Sequence, residues 1–394
     1  MMKDENSKSG FQWNNVILIS FAHLLHDVFS SFFVPLLPFI NDKLNLSNLS
    51  VGILKVTQRL PSLFSPFIGI LADKFPLRIF IIVTPAVTAI FMSLIGMAPN
   101  VVTIGILLFI AGISSALFHV PSPVLIKNLS GEKAGRGMSL YMLGGELARS
   151  IGPMLITATV IFFSLEGIYR LMIIGIAASV ILFIRIGRIP VSPNTGKENF
   201  YRGIRSTFIS LAPFFLLLMG FVFFRAISKS ALSTFLTLYL DEQGETIWFV
   251  NGALSIFQLA GAAGVLVSGI VSDKIGISRT LFIIACSTPV LMILFNYLGH
   301  AWILPLLVLL GFFIIASTPV LLSLVNRLNE GRPAFINGVF MTISFAIGAL
   351  GDVITGILGD WFGLALTFEI SGYLSFGAIP FAIALGRWDR KRSS

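Results

Sequence analysis

Gly69-Ile-Leu-Ala-Asp73-Lys74-Phe-Pro-Leu-Arg78 returns two hundred residues later as Gly269-Ile-Val-Ser-Asp273-Lys274-Ile-Gly-Ile-Ser-Arg279. Each copy follows one long apolar run and precedes another. A glycine, a carboxylate and two cations squeezed between hydrophobic segments make a tight, charged hairpin at a membrane surface. Recurrence at a fixed offset marks a duplicated unit.

Composition supports the membrane reading. The 394 residues are 56% hydrophobic and only 11% charged, against about 25% charged in a soluble domain, and mean hydropathy is +0.92. The 37 Phe and 36 Gly suit helices that meet lipid on one face and each other closely on another. A net charge of +9 does not indicate nucleic acid. The cations lie in short loops, in the tail and inside apolar runs, not on a basic face with interleaved aromatics. The single cysteine, Cys286, excludes an internal disulfide and a cysteine-based metal site. The first apolar run is too long for a cleavable leader and reads as an anchor.

A span needs about 20 apolar residues. On that basis twelve are predicted, near 14–40, 48–72, 78–98, 101–127, 136–163, 167–187, 208–240, 246–271, 279–298, 301–327, 334–359 and 362–386. The expected architecture is all-α, with six-helix halves at 1–187 and 208–394 joined by a polar linker at 188–207. The linker carries Arg188, Lys197, Arg202 and Arg205 against Glu198 alone, and its Pro190, Pro193, Gly196 and Gly203 interrupt helix. Lys127, Lys133, Arg136, the linker, Arg327, Arg332 and the tail from Arg387 fall on one side. Asp241, Glu242, Glu245 and Asp360 fall on the other. The positive-inside rule puts both termini in the cytoplasm.

An ionisable residue inside a span costs at least ~2.5–3.5 kcal/mol on insertion scales, so each one needs a reason. His23, His26 and Asp27 stand in the first helix, and His23 and Asp27, four apart, share a face. The second helix has Lys55, Gln58 and Arg59, the fourth His119, the fifth Glu146 and Arg149, the seventh Arg225 and Lys229, and the eleventh Asp352. His23/Asp27 and Arg225/Lys229 occupy matching places, offset by 202. A duplicated fold with polar pairs at equivalent depth describes a central cavity. Its excess of cations (Lys55, Arg59, Arg149, Arg225 and Lys229) suits an anionic or zwitterionic substrate group.

Plainer readings exist for several of them. Glu146 and Arg149, three apart, can neutralise each other on one helix. Lys55 can snorkel to the surface, and His119 can be a hydrogen-bonded core histidine. His23, His26 and Asp27 are metal-ligand types, but the sequence supplies no further convergent ligands, so no bound metal is expected.

The hairpin pair resembles the loop signature of the major facilitator superfamily. That resemblance implies a secondary transporter in which Gly69, Asp73 and Arg78, with Gly269, Asp273 and Arg279, form gates. Helices one and seven would line its cavity. Pro35-Leu-Leu-Pro38 and Gly144-Gly145-Glu-Leu-Ala-Arg-Ser-Ile-Gly152-Pro153 resemble stretches of twelve-helix drug:proton antiporters, although Ile156-Thr157 replaces the trailing glycines and Leu108 the buried arginine of the fourth helix. His23-Leu-Leu-His26-Asp27 together with Gly112-Ile-Ser-Ser-Ala-Leu-Phe118-His119 is similar to the fosmidomycin-resistance group.

The expected function is proton-coupled efflux of a small amphipathic or anionic compound by a monomer in the cytoplasmic membrane. The alternatives are uptake of an organic anion and export of a metal or metal chelate. Asp27 is the expected protonation site, with His119 and Glu146 next. His23, Lys55, Arg59, Arg149, Arg225, Lys229 and Asp352 are expected at the substrate. No cofactor or nucleic-acid partner is expected, nor is an enzymatic role, because no nucleophile–base pair is visible.

Overall fold

The computed structural model describes residues 11–64, 77–187, 204–328 and 333–393, and they are helical with no strand. The spanning helices are α1 (Trp13–Leu44), α3 (Arg78–Met97), α4 (Val101–His119), α5 (Arg136–Phe163), α6 (Glu166–Ile186), α7 (Phe208–Glu242), α8 (Ile247–Ile275), α9 (Ile277–Tyr297) and α10 (His300–Val325). α2 (Asn48–Arg59) continues as a 3-10 turn to Phe64, where the described segment ends. A final apolar stretch, Val339–Arg390, is two spans, because Gly363 takes φ 79° and turns the chain back. They are α11 (333–362) and α12 (364–393). The protein is therefore an all-α membrane protein of twelve transmembrane helices.

Two expected boundaries differ. The fourth span ends at His119 instead of 127: the helix is interrupted at Val120 and Pro121, which keep right-handed helical dihedrals, and a short helix, Ser122–Ser130, follows. Pro121 offers no N–H to continue the ladder. α1 is also interrupted, between its segments Trp13–Ser30 and Phe33–Leu44. Pro35 and Pro38 lie just beyond the break. Pro38 cannot bond the carbonyl of Val34, and that oxygen instead accepts from the Thr237 hydroxyl at 3.1 Å. The Pro35 carbonyl accepts from the Asn251 amide at 3.3 Å. Pro38 thus frees the Val34 carbonyl that α7 satisfies, and α8 adds its own bond to the neighbouring Pro35 carbonyl.

The chain groups into two compact units, residues 1–33 with 60–196, and residues 34–59 with 197–394. In the first, the buried core joins Val16, Ile19 and Ala22 of α1 to Ile81, Phe118, Leu125, Tyr141 and Leu182. In the second, Phe214, Phe215, Leu218 and Phe221 of α7 pack with Leu281, Ile284, Val320, Leu324, Phe340 and Leu385. The second unit also takes in α2, which lies along α11. A Cβ at Gly52 would stand 2.5 Å from the carbonyl oxygen of Asp352, so the two backbones touch there. The expected linker lies almost wholly outside the described residues, apart from its last four, which begin the helix that becomes α7.

Candidate functional site

In the first unit, helical spacing puts His23 and Asp27 on one face of α1, and packing brings α4 against that face. His119, the last residue of α4, completes the cluster. Its Nε2 lies 3.2 Å from Asp27 Oδ1 and 3.2 Å from His23 Nε2. His23 Nε2 lies 3.3 Å from Asp27 Oδ2. Asp27 is 8% exposed, while the His119 side chain is 38% exposed.

The outer nitrogens of both rings are tied down. His23 Nδ1 donates to the Tyr141 carbonyl at 2.7 Å, and His119 Nδ1 donates to the Ser115 carbonyl at 2.8 Å. The Tyr141 ring stacks on His23 at 4.0 Å between centroids. His26 contacts Asp27 Oδ1 at 3.1 Å and Thr88 Oγ1 at 3.0 Å. Thr88 donates on to Ser114 at 2.8 Å, and Ser114 to the Thr84 carbonyl at 3.0 Å. α5 covers the cluster with glycine: a Cβ on Gly145 would fall 2.5 Å from His23 Cε1 and 2.8 Å from Nε2.

The second unit has its own buried carboxylate. Asp352 of α11 is 1% exposed. Its Oδ2 accepts from Arg59 Nη1 at 2.8 Å, and its Oδ1 accepts from Ser230 at 2.6 Å and Thr234 at 2.9 Å. The two hydroxyls flank the start of a π-helical turn, Ala231–Phe235, in α7, a departure from α-helix that often marks functional sites. Arg59 lies at the C-terminal end of α2 with a side chain 34% exposed. At the other end of α2, the Asn48 and Leu49 amides donate to Asp360 at 2.6 and 3.0 Å, a carboxylate at a helix N-terminus. Two acids eight residues apart on α11 therefore hold both ends of α2.

Arg225 is 7% exposed. Its guanidinium donates to the Ser317 hydroxyl and, at 2.7 Å, to the Ile314 carbonyl, and lies 5.3 Å from the centre of the Phe221 ring. It makes no carboxylate pair among the described residues, and its Nε has no acceptor there.

The remaining expected residues are more dispersed. Glu146 and Arg149 form a two-point pair on α5, at 3.2 and 3.3 Å. Lys55 donates to Gln58 at 2.9 Å, and Lys229 is exposed on α7. Of the gate residues, Gly69 and Asp73 lie outside the described segments, and Arg78 is half-buried at the start of α3. A Cβ at Gly269 would meet nothing within 4 Å. Asp273 and Arg279 are exposed.

Tyr141, Thr88, Ser230 and Thr234 escaped the sequence reading, which counted Asp360 only as a charge marking one side of the membrane. The i,i+4 spacing of Ser230 and Thr234 marks a shared helical face, and Gly144-Gly145 marks a close approach. Neither identifies the partner.

Twelve spans with buried charge clusters define a multi-pass membrane transporter. The chain belongs to the Major Facilitator Superfamily, whose family model matches residues 19–352. It is 24% identical over 363 residues to the fosmidomycin resistance protein of Escherichia coli (strain K12), covering 90% of this chain and 89% of that one. It is 24% identical over 385 residues to the multidrug resistance protein MdtG of Salmonella heidelberg (strain SL476), covering 92% and 91%. In fold it is similar to the crystal structure of a bacterial homolog of the human lysosomal transporter Spinster. The TM-score is 0.78 at 14% identity, over 97% of this chain and 98% of that one. The protein is a transporter and not an enzyme.

Proposed function

We propose that this protein works by alternating access in the cytoplasmic membrane and exports a small amphipathic compound in exchange for protons. Resistance functions in the names of both relatives support the direction. The ion pair between Asp352 and Arg59 carries the proton coupling.

A proton on Asp352 cancels the charge that Arg59 neutralises. It thereby loosens the tie between α2 and α11 and biases the protein toward the conformation in which the tie is absent. The charge of the cargo sets the sign of the linkage. A cargo whose N–H or cationic group takes the place of Arg59 on the carboxylate competes with the proton, and competition gives antiport. An anion that draws Arg59 away leaves Asp352 unpaired, so anion and proton favour each other, which gives symport. Arg59, one-third exposed, is the observation that supports this second reading, uptake of an organic anion. The sequence placed the coupling proton on Asp27. Asp352 is favoured here because Arg59, one of the cations expected at the substrate, pairs with it.

The experiment uses the full chain in liposomes with an acidic interior, and a compound panel that includes fosmidomycin. An antiporter accumulates its compound inside, and its affinity for the compound falls as pH falls. Asp352→Asn should abolish accumulation yet retain exchange without a gradient. Affinity that rises on acidification would establish symport, and undiminished accumulation by Asp352→Asn would remove the ion pair from the coupling.

A further inference from the structure

The first unit's cluster holds an arrangement of donor atoms that proton coupling at Asp352 does not use. A carbonyl oxygen only accepts, so the contacts to Tyr141 and Ser115 fix the hydrogens of His23 and His119 on Nδ1. A ring held this way, when it carries no second proton, turns its Nε2 lone pair inward. The two lone pairs stand 3.2 Å apart, and each faces an oxygen of Asp27 at 3.3 or 3.2 Å. Two lone pairs and a carboxylate at these separations repel one another unless a cation lies among them.

We propose that His23 Nε2, the Asp27 carboxylate and His119 Nε2 form a binding site for one divalent first-row transition-metal ion, with Zn²⁺ as the type. At metal–ligand lengths of about 2.0–2.1 Å, neighbouring corners of a tetrahedron stand about 3.3 Å apart. The two Nε2 atoms stand 3.2 Å apart, and each has a different oxygen of Asp27 beside it, Oδ1 at 3.2 Å from His119 and Oδ2 at 3.3 Å from His23, so the carboxylate meets the pair with both oxygens. A proton bridges one pair of atoms along a line, whereas here two nitrogens and both carboxylate oxygens face one another, with one ligand atom from each of the three residues within 4.8 Å of the others.

Each ligand also has the outer partner that metal sites require. His23 donates to a backbone carbonyl, His119 to another, and the Asp27 carboxylate is contacted by His26, itself held by Thr88. Gly145 leaves the volume beside His23 Nε2 unfilled by side chain. The exposed flank of His119 gives a way in, and the fourth corner is left for water or another donor. Two imidazoles and a carboxylate favour zinc, cobalt or copper over magnesium and calcium.

The test uses the purified full-length chain carrying a histidine-free tag and stripped with chelator. Co²⁺ is the spectroscopic probe and Zn²⁺ the competitor. One Co²⁺ per chain should bind with the intense visible absorption of tetrahedral cobalt, and Zn²⁺ should abolish that absorption. His119→Ala and Asp27→Asn should bind at least about 100-fold more weakly, more than loss of an outer hydrogen-bond partner causes. His119→Cys should restore binding and add a near-ultraviolet sulfur-to-cobalt charge-transfer band, which also shows that a chain altered at this position still folds. The proposal is overturned if thermally intact wild type gives no tetrahedral signal, or if the signal is unchanged in His119→Ala. Either result can be told apart from failure of the transport reading, which is scored at Asp352.

Discussion

The two buried carboxylates among the described residues have opposite kinds of neighbours. Asp27 faces His23, His26 and His119, groups that exchange protons and donate lone pairs. Asp352 faces Arg59, Ser230 and Thr234, a permanent cation and two hydroxyls. The first carboxylate is compensated by a mobile cation that the cluster must acquire. The second is compensated by a fixed cation that must be displaced before the carboxylate can do anything. Removing one partner of a buried pair costs ~3–5 kcal/mol, and the partial exposure of Arg59 brings the figure here toward the lower end. On the proposed mechanism the two sites serve different ends, because only the tied carboxylate would couple its protonation to the separation of two helices.

The supports of the two sites differ as well, and three substitutions sharpen the contrast. The largest effect is expected from Gly52→Ala. Its Cβ would meet the Asp352 carbonyl oxygen at 2.5 Å and the carbonyl carbon at 3.1 Å. Backbone cannot swing aside, so α2 must move off α11, at about 3 kcal/mol, the upper part of the usual range for overpacking. Thermal unfolding in detergent measures this, and transport should fall with it. Unchanged stability would mean that α2 and α11 are not held together as described.

Gly145→Ala should have a smaller effect, about 1–2 kcal/mol, because its Cβ meets the His23 imidazole, a side chain able to rotate. The rotation should also remove the tetrahedral cobalt signal. Retention of that signal at full affinity would show that His23 is not a ligand.

The smallest effect belongs to Thr234→Val. It takes one of two hydroxyls from Asp352 Oδ1 and leaves Ser230 and Arg59 in place. About 1 kcal/mol is expected, with coupled transport slowed but retained. Complete loss of coupling would make Thr234 as important as Arg59 and break the distinction between a fixed cation and its supporting hydroxyls.

Much of this protein was legible in one dimension. Runs of apolar residues give the spans, because a bilayer demands about 20 of them in succession. The fixed period of the α-helix puts His23 beside Asp27 and Glu146 beside Arg149 before any packing is known. The expense of charge in hydrocarbon singles out Asp27, Arg225 and Asp352, all of which are buried. What the sequence could not decide is which helix meets which, and at what height. His119 joins Asp27 because the end of α4 packs against the middle of α1. Arg59 serves Asp352 because glycine lets α2 lie directly on α11. Periodicity orders the residues along one helix. Ion pairs, lone-pair clusters and backbone contacts between helices depend on the rotation and register of two cylinders, and only the packed tertiary structure fixes those.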